Sequence, residues 1–531
     1  MRVVSAQEMK AIEEIAMSEL GYTESLIVEN VGIRGADFLE EVLAGEMEWS
    51  EIILLVGRGN NGADALAIGR HLASRNHRVR AFLLFPDDEH TAELTAQIKL
   101  ANGFGVKVTE IKNIDQLTSY FGQTASNFLV VDGVLGTGFR LPLSQYLFEV
   151  FNLVNEYSTI TVSIDLPSGV EAEHGEISST AIRADYTLAI GLPKTGHFIA
   201  TGAQYSGEVV TLDAGLPRKI TAGGNTFLLN PEEIISYYHG RDRFAHKNTF
   251  GHALIVGGSH GLCGALMMTG SAALKVGTGL VTAVTWSQSY SELVSRIPPE
   301  IMTGLIPVQR EDVASILKNF DRYDTVVVGP GMGRSSDTRR VVLEVLNHYA
   351  GPVVVDADAI KVLSLKDDHE VFRRRKAPTI LTPHMGEFAQ FSGLSVEEVT
   401  SRPLQHLREL VDQTNSCIVM KGPATYLGFP NGEVHINYYP NDGMASGGSG
   451  DVLAGIIGGL LAQLPDERHT SQMFEDKSRY YNAICAAVAA HTMAGKIARD
   501  ALGARAMTAM SIVDHLSHAF KEMDEERIAK L

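Results

Sequence analysis

The alternation of apolar and polar positions opens with a helix. From Ser5 to Leu20 the residues Met9, Ile12, Ile15, Ala16 and Leu20 recur at helical spacing, and Ser5 with Glu8 has the pattern of a capping box. The pattern then changes to short apolar runs at 51–57 (EIILLVG), 79–85 (VRAFLLF), 127–133 (NFLVVDG) and 159–165 (TITVSID), separated by stretches of helical character. Runs this short and this apolar predict strands covered on both faces. After Asp213 the text loosens into AGLPRKITAGGNT, where Gly, Pro and Thr replace the apolar runs, as at a domain boundary. The rhythm restarts with HALIVGG (252–258), TVVVGPG (325–331), PVVVDAD (352–358), PTILTPH (378–384) and CIVMKGP (417–423). Strands alternating with helices predict parallel sheets with helices on both faces. The expectation is therefore two α/β domains, residues 1–217 and 225–531, which differ in detail because no internal repeat relates them.

Composition narrows the function. With 531 residues, 45% hydrophobic and 20% charged, the chain is too long for one core and too apolar for disorder. Its formal charge of −18 disfavours nucleic acid or an anionic membrane as partner, so small-molecule ligands are expected. Cys263, Cys417 and Cys485 lie far apart with no CxxC pair, which argues against a disulfide framework or a structural zinc site. The start MRVVSAQEMK is not ordered like a secretory signal, and no run approaches the ~20 apolar residues of a membrane span. A cytoplasmic enzyme, expected as a homo-oligomer, is the reading that follows.

In open α/β sheets ligands sit beyond the carboxyl ends of strands. Here those ends carry GRGNNGADAL (57–66), VDGVLGTGFRLP (131–142) and SIDLPSG (163–169). Glycines admit a ligand to the backbone, a following helix offers free N–H groups, and Asp132 and Asp165 can bind a cation or move a proton. A lone aspartate at a strand end is usually a cap or turn residue, but three polar strand ends together point to a site.

NNGAD (60–64), VDGVLGTGF (131–139) and IDLPSG (164–169) resemble the N-terminal domain of the NAD(P)HX epimerases, which interconvert the R and S hydrates of NADH and NADPH. The resemblance covers residues 1 to 215. It implies that the substrate is gripped by Asn60, Asn61, Gly62, Ala63 and Asp64 and by Gly136, Thr137, Gly138, Phe139, Arg140, Leu141 and Pro142. It places Asp165 beside the hydrated ring as the proton-transfer group, and a potassium ion on Asn61, Asp132 and Ser168. Oxygen donors of this kind suit a large, hard monovalent cation. Ala63 and Ala65 stand where the family usually has glycine, a change that costs little unless the backbone is left-handed there.

The second half holds the sharpest signal, NDGMASGGSGDVLAGIIGGLLAQL (441–464), a glycine-rich turn feeding an apolar helix with Asp451 in its first turn. Free N–H groups and the helix dipole make an anion hole there. GSGD (448–451) is similar to the GxGD motif of ribokinase-like enzymes, whose aspartate takes a proton from a hydroxyl during phosphoryl transfer. HALIVGGSHGLCGA (252–265), VGPGMG (328–333), VVVDADA (353–359), LTPHMGE (381–387) and KGPAT (421–425) add, in order, a resemblance to the NAD(P)HX dehydratases over about residues 225 to 525. It implies substrate contacts from Ala265, Gly333, His384 and Asp451, and a nucleotide against Lys421, Gly422, Pro423, Ala424, Thr425 and Gly450. Met385 replaces the family's proline without removing a chemical group. By that likeness ADP is the phosphoryl donor, accompanied by magnesium whose ligands the sequence does not assign.

The fold class implied is a Rossmann-like three-layer domain followed by a ribokinase-like α/β domain, and the substrates implied are NADHX and NADPHX. Two rivals were set beside this reading. A vitamin-precursor kinase would share the ribokinase-like fold and GxGD, and a scaffold of messenger-RNA decapping would share the N-terminal fold. KGPAT, TPHMGE and the retained Asn61, Asp132, Asp165 and Ser168 favour repair chemistry.

Overall fold

The structure, a computed structural model, describes residues 1–44, 51–86, 89–123, 127–199, 201–230, 244–306, 320–465, 474 and 476–530. It divides into two compact units, Arg2–Thr226 and Phe227–Leu531 together with Met1.

In the first unit the apolar runs form β1 (Glu51–Val56), β2 (Val79–Leu83), β3 (Lys107–Glu110), β4 (Phe128–Gly133), β5 (Ile160–Ile164), β6 (Tyr186–Ile190) and β7 (Glu208–Leu212). They make one parallel sheet of seven strands in the order β3-β2-β1-β4-β5-β6-β7. Alternation along β1 shows why helices cover both faces. Ile52, Leu54 and Val56 join a core with Val31, Leu39 and Leu66 from helices Glu24–Leu43 and Asn60–Ser74. Ile53 and Leu55 point the other way, into Phe121, Val150 and Phe151 of helices Ile114–Gln123 and Gln145–Tyr157. The opening helix, Ala6–Leu20, is capped by Ser5 and Glu8 as their pattern predicts, and buries Met9, Ile12 and Ala16. Ala63 takes helical backbone and is fully buried in the core, so its methyl group is accommodated.

The second unit is built on a sheet of ten strands: β8 (Thr226–Leu228), β9 (His252–Val256), β10 (Leu280–Trp286), β11 (Met302–Ile306), β12 (Thr325–Val328), β13 (Val353–Val355), β14 (Thr379–Leu381), β15 (Cys417–Met420), β16 (Ala424–Gly428) and β17 (Val434–Tyr438). Their order is β11-β10-β9-β12-β13-β14-β15-β16-β17-β8, parallel from β11 to β15 and antiparallel across β15, β16 and β17. Ile255, Ala283, Val327, Val354 and Val419 share one core with helices Cys263–Lys275, Ser449–Ala462 and Ser478–Leu502. On the opposite face helix Pro403–Thr414 lies so close that a Cβ on Gly428 would meet Val411 Cγ2 at 2.9 Å. This is the doubly covered α/β class in both units.

In each sheet the strand order reverses once, between β1 and β4 and between β9 and β12. A crevice opens at the carboxyl ends of strands where successive connections leave in opposite directions, which fixes where a ligand can lie.

Candidate active sites

At the reversal in the first unit, β1 ends at Val56 and the chain turns through Gly57 and Gly59 into helix Asn60–Ser74, while β4 ends in Asp132 and Gly133. A cavity of about 1100 Å³ opens there. Its wall includes Asn60, Asn61, Asp64, Gly136, Thr137, Gly138, Phe139, Arg140 and Asp165, which the sequence singled out. Gly62 and Ala63 lie beneath it within the helix, and Leu141 and Pro142 continue the loop without lining it.

Asp132 is fully buried and accepts hydrogen bonds from Ser163 Oγ at 2.8 Å, the Ser168 amide at 2.8 Å, Ser168 Oγ at 2.6 Å and the Val134 amide at 3.2 Å. Burial still pushes its carboxyl up, more than these donors pull it down. Asn61 Nδ2 donates to the Leu135 carbonyl at 2.8 Å, and the Leu135 amide donates to Ser168 Oγ at 2.7 Å. Asn61 Oδ1 is buried and accepts no hydrogen bond. An orphaned buried oxygen beside a buried carboxylate and a hydroxyl is a donor set short of a cation, so the residues fit a potassium ion.

Asp165 follows β5 with φ of 64°, a left-handed conformation unusual for a residue with a Cβ. Lys194, buried in the loop after β6, donates to Asp165 Oδ1 and to the Ile190 carbonyl, the latter at 2.9 Å. Asp64 and Glu13 lie close enough to feel the charge of Asp165, and both carboxyls are pushed up, chiefly by burial. Lys194, His197 and Glu13 were not anticipated. They come from the loop GLPKTGHF (191–198) and the opening helix, which lie outside the motifs the sequence singles out.

In the second unit the polar strand ends converge in the same way. Asp356 follows β13, His384 follows β14 and Lys421 follows β15, and a β-bridge joins His384 to Lys421. Lys421 Nζ is 2.8 Å from Asp356 Oδ1, which also accepts from Thr382 Oγ1 at 2.7 Å. The Gly333 amide donates to Asp358 Oδ2 at 2.9 Å, bringing the loop after β12 onto the same ridge. Ala265 sits on the first turn of helix Cys263–Lys275, against the Gly331 turn of that loop.

His384 is the N-cap of helix Met385–Ser392, its Nδ1 accepting from the Gly386 and Glu387 amides, and Glu387 completes the capping box. The structural role open to this histidine is therefore present, and half of its side chain still faces solvent at the sheet edge.

Asp451 occupies the first turn of helix Ser449–Ala462, whose N-cap Gly448 has φ of 100°. Burial and the nearby Asp356 push its carboxyl up to about 7, against the pull of Lys421. An added Cβ on Gly450 would lie 2.9 Å from Lys421 Nζ, so this glycine is where the helix start and the lysine come together. Gly422 and Pro423 form the exposed turn into β16, where Ala424 is buried and Thr425 pairs with Asn437 of β17. His491, from helix Ser478–Leu502, sits behind the helix start with Nε2 3.1 Å from the Ser449 carbonyl, and burial keeps it neutral by pushing it down to about 4. The acid-rich ridge was visible as VVVDADA, but the parts played by Asp356, Asp358 and His491 were not.

Comparison with known proteins gives two family matches. The pattern described as YjeF-related protein N-terminus covers residues 24–196, and that described as NAD(P)H-hydrate dehydratase covers residues 253–518. Among curated proteins, a bifunctional NAD(P)H-hydrate repair enzyme of Moorella thermoacetica is 32% identical over 536 residues, covering 99% of this chain and 98% of the relative. That of Escherichia coli is 32% identical over 390 residues, covering 73% of this chain and 70% of the relative. Among solved structures, the ADP/ATP-dependent NAD(P)H-hydrate dehydratase of Bacillus subtilis, crystallised with ATP and magnesium, is 27% identical with a TM-score of 0.48. It covers 57% of this chain and is itself covered in full.

Proposed function

The chain belongs to the bifunctional NAD(P)H-hydrate repair enzymes, and from that membership we infer how its two sites divide the work. It interconverts the R and S hydrates of NADH and NADPH, and it dehydrates the S hydrate to NAD(P)H at the expense of ADP, giving AMP and phosphate. The unit Arg2–Thr226 carries the epimerase and the unit Phe227–Leu531 the dehydratase.

The observation that carries the reading is Asp451 at the open end of a glycine-rich helix, with a carboxyl near neutrality and Lys421 against Gly450. A hydroxyl is a poor leaving group, and phosphorylation corrects that. Asp451 accepts the hydroxyl proton as the oxygen attacks the terminal phosphoryl group of ADP, and AMP departs. The free amides of the helix start and the Lys421 ammonium hold the charge that builds on the transferring group. The C–O bond to phosphate then breaks, the adjacent ring carbon gives up a proton to solvent and the ring double bond forms, releasing inorganic phosphate and NAD(P)H. Ala265, Gly333 and His384 line the substrate's side, and Lys421 to Thr425 with Gly450 the nucleotide's. Among the described residues Asp356, Asp358 and Glu387 are already engaged by Lys421, by the Gly333 amide and by Lys361, so magnesium is taken to travel on the nucleotide phosphates.

In the epimerase unit Asp165 moves the proton at the hydrated carbon. Asn60 to Asp64 and Gly136 to Pro142 hold the substrate, and Asn61, Asp132 and Ser168 would hold potassium, which would supply fixed positive charge to the site. The three buried free cysteines accord with work in a reducing cytoplasm, and among the described residues no helix is long and apolar enough to cross a membrane.

Product analysis tests the dehydratase reading. S-NADHX with ADP should yield NADH, AMP and inorganic phosphate in equal amounts. Accumulation of a stable phosphorylated alcohol would make the unit an ordinary small-molecule kinase.

A further inference from the structure

The loop that follows β6 reaches Asp165 twice. Lys194 puts its ammonium on Asp165 Oδ1 and on the Ile190 carbonyl, and three residues later the His197 ring meets the Asp165 carbonyl, Nε2 to O at 2.6 Å. The tautomer follows from the neighbours. The Lys194 amide donates to His197 Nδ1 at 3.0 Å, so Nε2 carries the hydrogen that it gives to Asp165. His197 is fully buried and held neutral, pushed down to about 4 chiefly by burial and then by Lys194.

Two features of Asp165 need such support. Its left-handed backbone is disfavoured for any residue with a Cβ, and it is fixed by the His197 contact together with its own amide on the Leu188 carbonyl at 2.8 Å. Its side chain is also buried, and a buried carboxyl needs a partner that replaces the water it has lost. Lys194, 1% exposed, is that partner. Among the described residues both hydrogen bonds to the carboxylate end on Oδ1, from Lys194 Nζ and from the Ile190 amide at 3.3 Å. Oδ2 is left for the cavity that Asp165 lines.

We propose that Lys194 is the positioning residue of the epimerase site, holding the Asp165 carboxyl by Oδ1 with Oδ2 turned to the substrate, while His197 fixes the backbone that aims it. This rests on the epimerase reading of the N-terminal unit. Lys194 bonds directly to Asp165, while Glu13 and Asp64 feel its charge from farther off. Glu13 and Lys10 face the cavity from the opening helix, Asp64 from helix Asn60–Ser74, and Arg58 and Arg140 from the strand-end loops. Glu93, on helix Ala92–Gly103, raises the Asp64 carboxyl further.

The test uses the full chain with R-NADHX and no nucleotide, following the S epimer by chromatography against the solution rate. Lys194→Met and the charge-free hydrogen-bonding Lys194→Gln should both lower kcat by about 100-fold or more with KM changed by less than about threefold. Ethylammonium should restore rate to Lys194→Ala, and n-propanol should not. Adding Lys194→Met to Asp165→Asn should cost nothing further. Wild-type kcat in Lys194→Gln, or a loss additive with Asp165→Asn, would overturn the proposal. A wild-type chain that fails to convert R-NADHX would instead overturn the epimerase reading itself.

Discussion

At the scale of single residues, the account turns on carboxyls whose protonation differs from that of a free side chain. Asp451 is raised to about 7 by burial and by Asp356, and as a base it works only when ionised. The kcat/KM for S-NADHX with saturating ADP should therefore rise with pH through about 7, and Asp451→Asn should lose about 100-fold or more at every pH. A rate flat from pH 5 to 9 in the wild type would contradict this. The same shift has a stability consequence. A carboxyl raised on folding keeps its proton in the native state and loses it in the unfolded chain, so the native state weakens as pH rises from about 3.8 to about 7. Asp451→Asn should accordingly raise the midpoint of thermal unfolding at pH 8 and leave it unchanged at pH 3.5. Sites that hold a strained charge for chemistry commonly behave in this way. Asp451 and Asp165 were legible in the sequence because each lies in a short motif beside glycines. Lys194 and His197 were not, because their partner is Asp165, about thirty residues earlier in the chain, and only folding brings them together.

At the scale of elements, the sequence predicts most of the central strands and misses β6, β10 and the strands toward the sheet ends. β1, β4, β9, β12, β13, β14 and β15 are predominantly apolar runs because both of their faces are covered, and β2 and β5 interrupt their apolar residues only with Arg80 and with the buried Thr161 and Ser163. β3, Lys107–Glu110, lies at the edge of its sheet with no fully buried residue, and so carries no such run. β16 and β17 form a hairpin at the antiparallel end of the second sheet, where polar residues such as His435 alternate with buried ones. The candidate sites were readable because the residues that follow the carboxyl ends of those strands are small and polar. The element that depends most on a single small residue is helix Ser449–Ala462. In Gly450→Ala the new methyl would press on Lys421 Nζ at 2.9 Å and draw the ammonium off Asp356. The expected result is a KM for ADP raised about tenfold or more with the fold intact, since position 450 already has helical surroundings. An unchanged nucleotide KM would remove Lys421 from the proposed nucleotide site.

At the scale of the whole molecule, each unit buries a neutral histidine behind the aspartate proposed as its proton-transfer group, His197 in the first and His491 in the second. Both are pushed down to about 4. Between pH 6.5 and 4 the unfolded chain takes up protons that these folded residues refuse, so stability falls on acidification, by about 3 kcal/mol at most for each. His491→Gln should flatten the pH dependence of denaturant unfolding of the second unit in that window, and an identical slope in variant and wild type would show that His491 is not held neutral. Carrying both activities on one chain lets a dehydratase restricted to the S hydrate drain the R hydrate as well. The measurement that tests this account most directly follows absorbance at 340 nm as the full chain meets a mixture of R- and S-NADHX with ADP. Wild type should recover all of the NADH, Asp451→Asn none, and Asp165→Asn promptly only the S fraction. Prompt recovery of the R fraction by Asp165→Asn, or no recovery by wild type with ADP or ATP, would contradict it.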